Sequence, residues 1–152
     1  MKSITQHRVS LTPIALGIAL TAFLLTATPT FAMARTTRDA GFWFSMPDLG
    51  TAATEGRLKE DTTPTYIHVT TITMKSCRVY VDAQVLFGWK NETVADHATV
   101  KHTGKFAIHQ NVYENHGQCN ARLTAWANNG GGDLGGEWSP DSWGKYASIN
   151  GD

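Results

Sequence analysis

Arg78-Val79-Tyr80-Val81-Asp82-Ala83-Gln84-Val85-Leu86-Phe87 is the stretch that decides how this chain folds. Val79, Val81, Ala83, Val85 and Phe87 fall on one side of an extended backbone, and Arg78, Tyr80, Asp82 and Gln84 fall on the other. Successive side chains of a strand point to opposite faces, so this alternation predicts a strand with one core face and one wet face. The same period recurs outward in both directions. In Tyr66 to Thr73, Ile67, Val69 and Thr71 oppose Tyr66, His68 and Ile72, a segment apolar enough for burial on both sides. Phe106, Ile108, Gln110 and Val112 alternate with Ala107, His109 and Asn111, and Leu123, Ala125 and Ala127 alternate with Arg122, Thr124 and Trp126. Turn signals separate these runs at Met74-Lys75-Ser76, Gly88 to Asp96, Asn115-His116-Gly117 and Asn128 to Gly136. Beyond the N-terminal segment, no stretch sustains a 3.6-residue apolar period. The pattern predicts an all-β fold, a small antiparallel β-sandwich or barrel of five to seven strands.

The first 34 residues read differently. Lys2 and Arg8 charge the start, an apolar run extends from Ile14 to Leu25, Pro29 breaks it, and Ala32-Met33-Ala34 supplies a small-x-small cleavage pattern. This is the grammar of a signal peptide, cut after Ala34 or after Ala32. The wider, moderately apolar region from Val9 to Ala27 is interrupted by Ser10, Thr12, Pro13, Thr21 and Thr26, which argues against a retained membrane span. The C-terminus, Ala147 to Asp152, has no hydrophobic tail. The organisation expected is a signal peptide over 1–34, a flexible arm over 35–63 and a single β domain over 64–152. The arm is rich in Thr, Ala and charged residues, with one aromatic knot at Phe42-Trp43-Phe44. The mature protein is expected to be secreted, with no stable membrane anchor.

Processing removes two basic residues and leaves eleven against thirteen acids, scattered singly. Without a basic run there is nothing to neutralise a phosphate backbone, so nucleic acid is excluded as the expected partner. Cys77 and Cys119 each open a strand-like segment, and an exported chain with two cysteines is most simply read as disulfide-bonded. The glycine stretch Asn128-Asn129-Gly130-Gly131-Gly132-Asp133-Leu134-Gly135-Gly136 is expected to be a flexible hairpin loop. Its alternative is backbone brought close to a ligand. In Trp138-Ser139-Pro140-Asp141-Ser142, a tryptophan can fill the core edge, Pro140 can stop ladder pairing, and Asp141 or Ser142 can close the turn that follows. Alternation puts Trp126 on the wet face of its strand.

Arg122-Leu123-Thr124-Ala125, the glycine stretch and Gly136-Glu137-Trp138-Ser139-Pro140-Asp141-Ser142 together resemble the closing pattern of a loosely defined group of small secreted proteins from Gram-positive bacteria. Lys59 to Tyr66 and Ile108 to Asn115 also resemble segments of that group, so the likeness spans about residues 57 to 143. It implies a secreted bacterial β domain with no assigned chemistry. Some members resemble bacteriocin-associated products.

Catalytic patterns are absent from the sequence. His68, His97, His102, His109 and His116 have no recognised metal-ligand spacing, and there is no G-x-S-x-G elbow. No enzyme activity, cofactor or metal is expected. The function expected is a non-enzymatic binding module acting outside the cell on a cell-wall polymer or surface protein. Trp126, Trp138, Trp143, Tyr146, Phe42, Trp43 and Phe44 are its candidate contact residues. The alternative is a small bacteriocin-like toxin, which the near-neutral charge disfavours because cationic faces draw peptides to anionic envelopes.

Overall fold

The computed structural model describes residues 38–151, so the expected signal peptide and its cleavage region lie outside the described residues. In chain order the strands are β1 (Ala40–Met46), β2 (Thr51–Ala53), β3 (Arg57–Lys59), β4 (Thr65–Ile72), β5 (Ser76–Val85) and β6 (Gly88–Asn91). They continue with β7 (Ala98–Val100), β8 (Gly104–Ile108), β9 (Cys119–Asn129), β10 (Gly132–Ser139) and β11 (Ala147–Ser148), and helix α1 (Val112–His116) lies between β8 and β9. The described residues thus hold eleven strands where five to seven were expected. Five of the eleven have four residues or fewer, too short for alternation to register.

Among the described residues two sheets form, and neither closes into a barrel. One runs β1-β10-β4-β8-β11; the other runs β2-β9-β5-β6, with β3 also on β9 and β7 also on β5. All of these pairings are antiparallel except β11 on β8. The alternation places Val79, Val81 and Ala83 of β5 in the core, beside Ala121, Leu123, Ala125 and Ala127 of β9. The other sheet faces them with Phe44, Ile67, Val69, Phe106, Ile108, Leu134 and Trp138 in the same cluster. Removing these side chains from water is the main favourable term in the fold.

The periodicity fails where the ladder stops. Phe87 does not continue the inward row; it is 94 % exposed at the tip of a two-residue turn, because Val85 already pairs with Gly88. Gly88 takes φ 124°, a conformation glycine adopts readily, and this lets the chain reverse at that point. In β4 the outer side is not buried throughout, since His68 is half-buried and Thr70 exposed. After Ile108 the expected strand gives way to α1. The helix is held by Glu92, whose carboxylate accepts hydrogen bonds from Asn115 Nδ2 and lies 2.8 Å from His116 Nε2.

Residues 40–59 are not a mobile arm. Their inward side chains Phe42, Phe44 and Met46 alternate with Gly41, Trp43 and Ser45, and all seven residues of β1 pair with β10. The chain then crosses at Pro47–Gly50 to the other sheet, where β2 and β3 line β9. One N-terminal segment therefore pairs the outer backbone of β10 and of β9, and its own strands β1 and β2 become the outer strands of the two sheets.

The glycine stretch is likewise not a loop beyond its first few residues. Gly132 opens β10, and Gly135 and Gly136 sit inside it because a side chain at either would collide with a neighbour. At Gly135 that neighbour is the Trp43 ring, and at Gly136 it is the His68 carbonyl.

Cys77 and Cys119 are free thiols. Their shared position at strand starts is what separates them, because β5 and β9 are antiparallel and Ala83 faces Ala121. Continuing that register puts Cys119 across from Val85, eight residues along β5 from Cys77. At ~3.3 Å per residue this is roughly 26 Å, far beyond the ~7 Å Cα limit for a disulfide.

Candidate functional site

Alternation in the five-stranded sheet turns a second set of side chains outward. Trp43 and Ser45 come from β1, Asp133, Gly135 and Glu137 from β10, Tyr66, His68 and Thr70 from β4, and Lys105 from β8. Trp43 lies across Gly135, and its indole N–H donates to Ser45 Oγ at 3.3 Å. Ser45 Oγ in turn donates to Asp133 Oδ1 at 2.6 Å. The ring is held flat on the sheet and still 59 % exposed. A cavity of about 360 Å³ opens beside it, lined by Trp43, His68, Thr70 and Glu137. His68 Nδ1 and Glu137 Oε2 are 3.7 Å apart there, so a donor and an acceptor stand next to the ring.

A second aromatic group lies farther along the same face. Tyr146 packs against Tyr66 with ring centroids 4.7 Å apart and planes tilted by 43°, and Trp143 beside them is 72 % exposed. With Lys105 and Asp39 these residues line a cavity of about 220 Å³ whose floor includes Asp141. Burial pushes the Tyr66 hydroxyl up from its usual value, helped by Asp39, so it stays a neutral hydrogen-bonding group. Tyr66 is two strands from Trp43 and about five residues along, roughly 20 Å away. The face thus carries two aromatic stations with polar side chains between them.

The seven candidate contact residues divide three ways. Trp43, Trp143 and Tyr146 share the outer face just described. Phe44 and Trp138 belong to the core, Trp138 only 1 % exposed, and Phe42 packs against that core. They are corrected from contact residues to packing residues. Trp138 fills the end of its strand, and Pro140 follows where pairing stops. Trp126 is half-buried on the outer face of the other sheet, as its alternation predicts, with the Arg78 guanidinium 5.3 Å above the ring. Sequence reasoning missed Tyr66, His68, Lys105 and Glu137, although the β4 alternation already placed Tyr66 and His68 on one side.

The histidines answer to separate neighbours. His68 faces Glu137, His116 faces Glu92, His97 lies near Tyr80, and His102 meets the edge of Phe106. Among the described residues no group of three or more His, Cys, Asp or Glu could hold a metal ion. No described helix is long and apolar enough to cross a membrane.

Residues 28–142 match the family described as "Protein of unknown function (DUF2712)". No curated protein and no solved structure matches the chain.

Proposed function

The chain belongs to the DUF2712 family, and we propose that it is a secreted, non-enzymatic binding module that holds an extended saccharide, such as a cell-wall polymer, across the outer face of its five-stranded sheet. The observation that carries this reading is the pair of exposed tryptophans, Trp43 and Trp143, on one face with polar groups between them. Sugar rings present an apolar face for stacking on an indole and a rim of hydroxyls for hydrogen bonding. His68, Glu137, Thr70 and Lys105 supply donors and acceptors beside the rings. A protein partner would favour a contiguous apolar patch, whereas these rings are separate and lie by shallow cavities. An extended chain can span both stations and gain from each, which raises its affinity without a deep pocket.

The test is retention of the purified protein by isolated Gram-positive cell wall. Trp43→Ala and Trp143→Ala should each weaken binding about fivefold, the equivalent of ~1 kcal/mol per stacked ring, with melting temperature unchanged. Trp126→Ala, on the opposite sheet, should bind as the parent does. No retention of the parent, or parent-like retention of the Trp43/Trp143 double variant, overturns the proposal.

A further inference from the structure

Lys59 is fully buried, and so is the carboxylate it meets. Lys59 ends β3 with no exposed surface, and Asp141, just past β10, is 1 % exposed. Lys59 Nζ donates to Asp141 Oδ1 at 2.6 Å and to the Thr63 carbonyl, while the Glu60 N–H donates to Asp141 Oδ2 at 3.1 Å. Asp61 stands 3.8 Å from the same Nζ. Its Oδ1 accepts the Thr63 N–H and hydroxyl. Around them, Gln110 donates to the Thr63 carbonyl at 3.1 Å, and the Thr65 hydroxyl donates to the Pro140 carbonyl at 3.1 Å. The Ser142 N–H donates to Thr63 Oγ1 at 3.1 Å and completes the clamp. The amine and the Asp141 carboxyl are thus fixed within reach of one another and out of water, with the Asp61 carboxyl, its side chain 20 % exposed, at their border.

Lysine is almost never fully buried unless paired, and an ion pair withdrawn from water carries a desolvation penalty of several kcal/mol per charge. A neutral amide between the same two side chains would carry none of that charge. We propose that Lys59 and Asp141 condense to an intramolecular isopeptide bond between Nζ and Cγ, with Asp61 as the proton carrier. This inference does not depend on what the outer face binds.

The step starts from the neutral amine and the carboxylic acid, the tautomer reached by moving one proton along the 2.6 Å hydrogen bond. The nitrogen lone pair attacks Cγ and forms the C–N bond. The C–O bond to the hydroxyl breaks, and the nitrogen gives up one hydrogen as a proton. Proton and hydroxyl leave together as water, so no oxidant, cofactor or energy donor is consumed. Burial raises the Asp141 carboxyl above its usual value, and Lys59 and the Glu60 N–H offset only part of that, which favours the protonated acid. Asp61 goes the other way. Burial raises it too, but hydrogen bonds from Thr63 and one shared with Asp141 outweigh this and hold it below the usual carboxylate range. It therefore remains a carboxylate able to take the proton from nitrogen and pass it to the departing oxygen. The bond would tie β3, at the edge of one sheet, to the end of β10 in the other.

The native protein should have an intact mass about 18 Da below that calculated for the chain from its own N-terminal residue to Asp152, one water lost. Trypsin should leave Lys59 uncut and release Leu58–Lys75 joined to Leu123–Lys145. A full mass with Lys59 cleaved after denaturation overturns the proposal, and so does a mass deficit without the joined peptides. Lys59→Ala and Asp141→Ala should retain full mass; should either fail to fold, the parent measurement still decides. Asp61→Asn should fold and leave most of the chains unlinked. Complete linkage in that variant would remove Asp61 from the mechanism while leaving the bond.

Discussion

At the scale of single residues, burial decides chemistry that residue type alone leaves open. Cys77 is fully buried against the β9 backbone, and burial pushes its thiol up to about 11, only partly offset by the hydrogen bond to the Trp126 carbonyl. A thiol raised in the folded state keeps its proton where the unfolded chain has lost it. Stability is therefore constant below the unfolded value near 9 and falls as pH rises from there to about 11. Two units correspond to at most about 3 kcal/mol. Chemical denaturation at pH 8 and pH 10.5 should show this loss, and Cys77→Ala should lose less between the same two pH values. At pH 8, iodoacetamide should label Cys119, half-buried at the start of β9, well before Cys77. Equal labelling of the two would refute the burial argument. The disulfide expectation failed for a reason visible only with the pairing known: two cysteines at the starts of antiparallel neighbours stand at opposite ends of the pair.

At the scale of elements, the one helix among the described residues depends on side chains from outside it. Helix α1 has five residues, too short to be stable by itself; the Asn111 side chain does not cap it, and Gln110 Oε1 accepts the Val112 N–H at 2.7 Å instead. What fixes its last turn is Glu92, buried beyond the end of β6, which meets Asn115, His116 and, at 2.6 Å, Lys90 Nζ. Burial raises the Glu92 carboxyl, but these partners outweigh it and hold it below its usual value. A lowered carboxylate contributes stability at neutral pH that is lost as acid protonates it through the folded value. Glu92→Ala should cost about 2 kcal/mol in denaturant melts at pH 7, in line with buried hydrogen bonds to a charge. The difference from the parent should shrink at pH 3, and a difference constant with pH would sink this account. The helix was invisible to periodicity because five residues complete little more than one turn.

At the scale of the molecule, the N-terminal segment is structural. β1 pairs along its whole length with β10 and buries Phe44 and Met46, while β2 and β3 cover β9. Deleting residues 1–47 should abolish cooperative unfolding, since each lost core side chain costs about 2–5 kcal/mol against a total stability of ~5–15 kcal/mol. Deleting only residues 1–34 should leave a cooperative melt. Far-UV circular dichroism with thermal scans distinguishes the two, and a folded product from the longer deletion would restore the mobile arm.

The sequence by itself determined the all-β class and the inward rows of β5 and β9. Val79, Val81, Ala83, Leu123, Ala125 and Ala127 repeat every second residue, and only an extended chain puts them on one side. It also placed Trp126 outward and read the end of β10 at Trp138-Ser139-Pro140, because proline cannot donate to a ladder. The alternation in Ala40 to Met46 was present as well, but the clustered aromatics obscured it. What only the tertiary structure decided was which strands lie side by side. Pairing partners set whether Gly135 and Gly136 form a loop or a seat for Trp43, whether the two cysteines meet, and whether Trp43, Tyr66, Trp143 and Tyr146 share a face. They also bring Lys59 to Asp141 across eighty-two positions of sequence. Period-two patterning fixes the side a residue takes along its own strand, and it holds no information about the neighbour across the ladder.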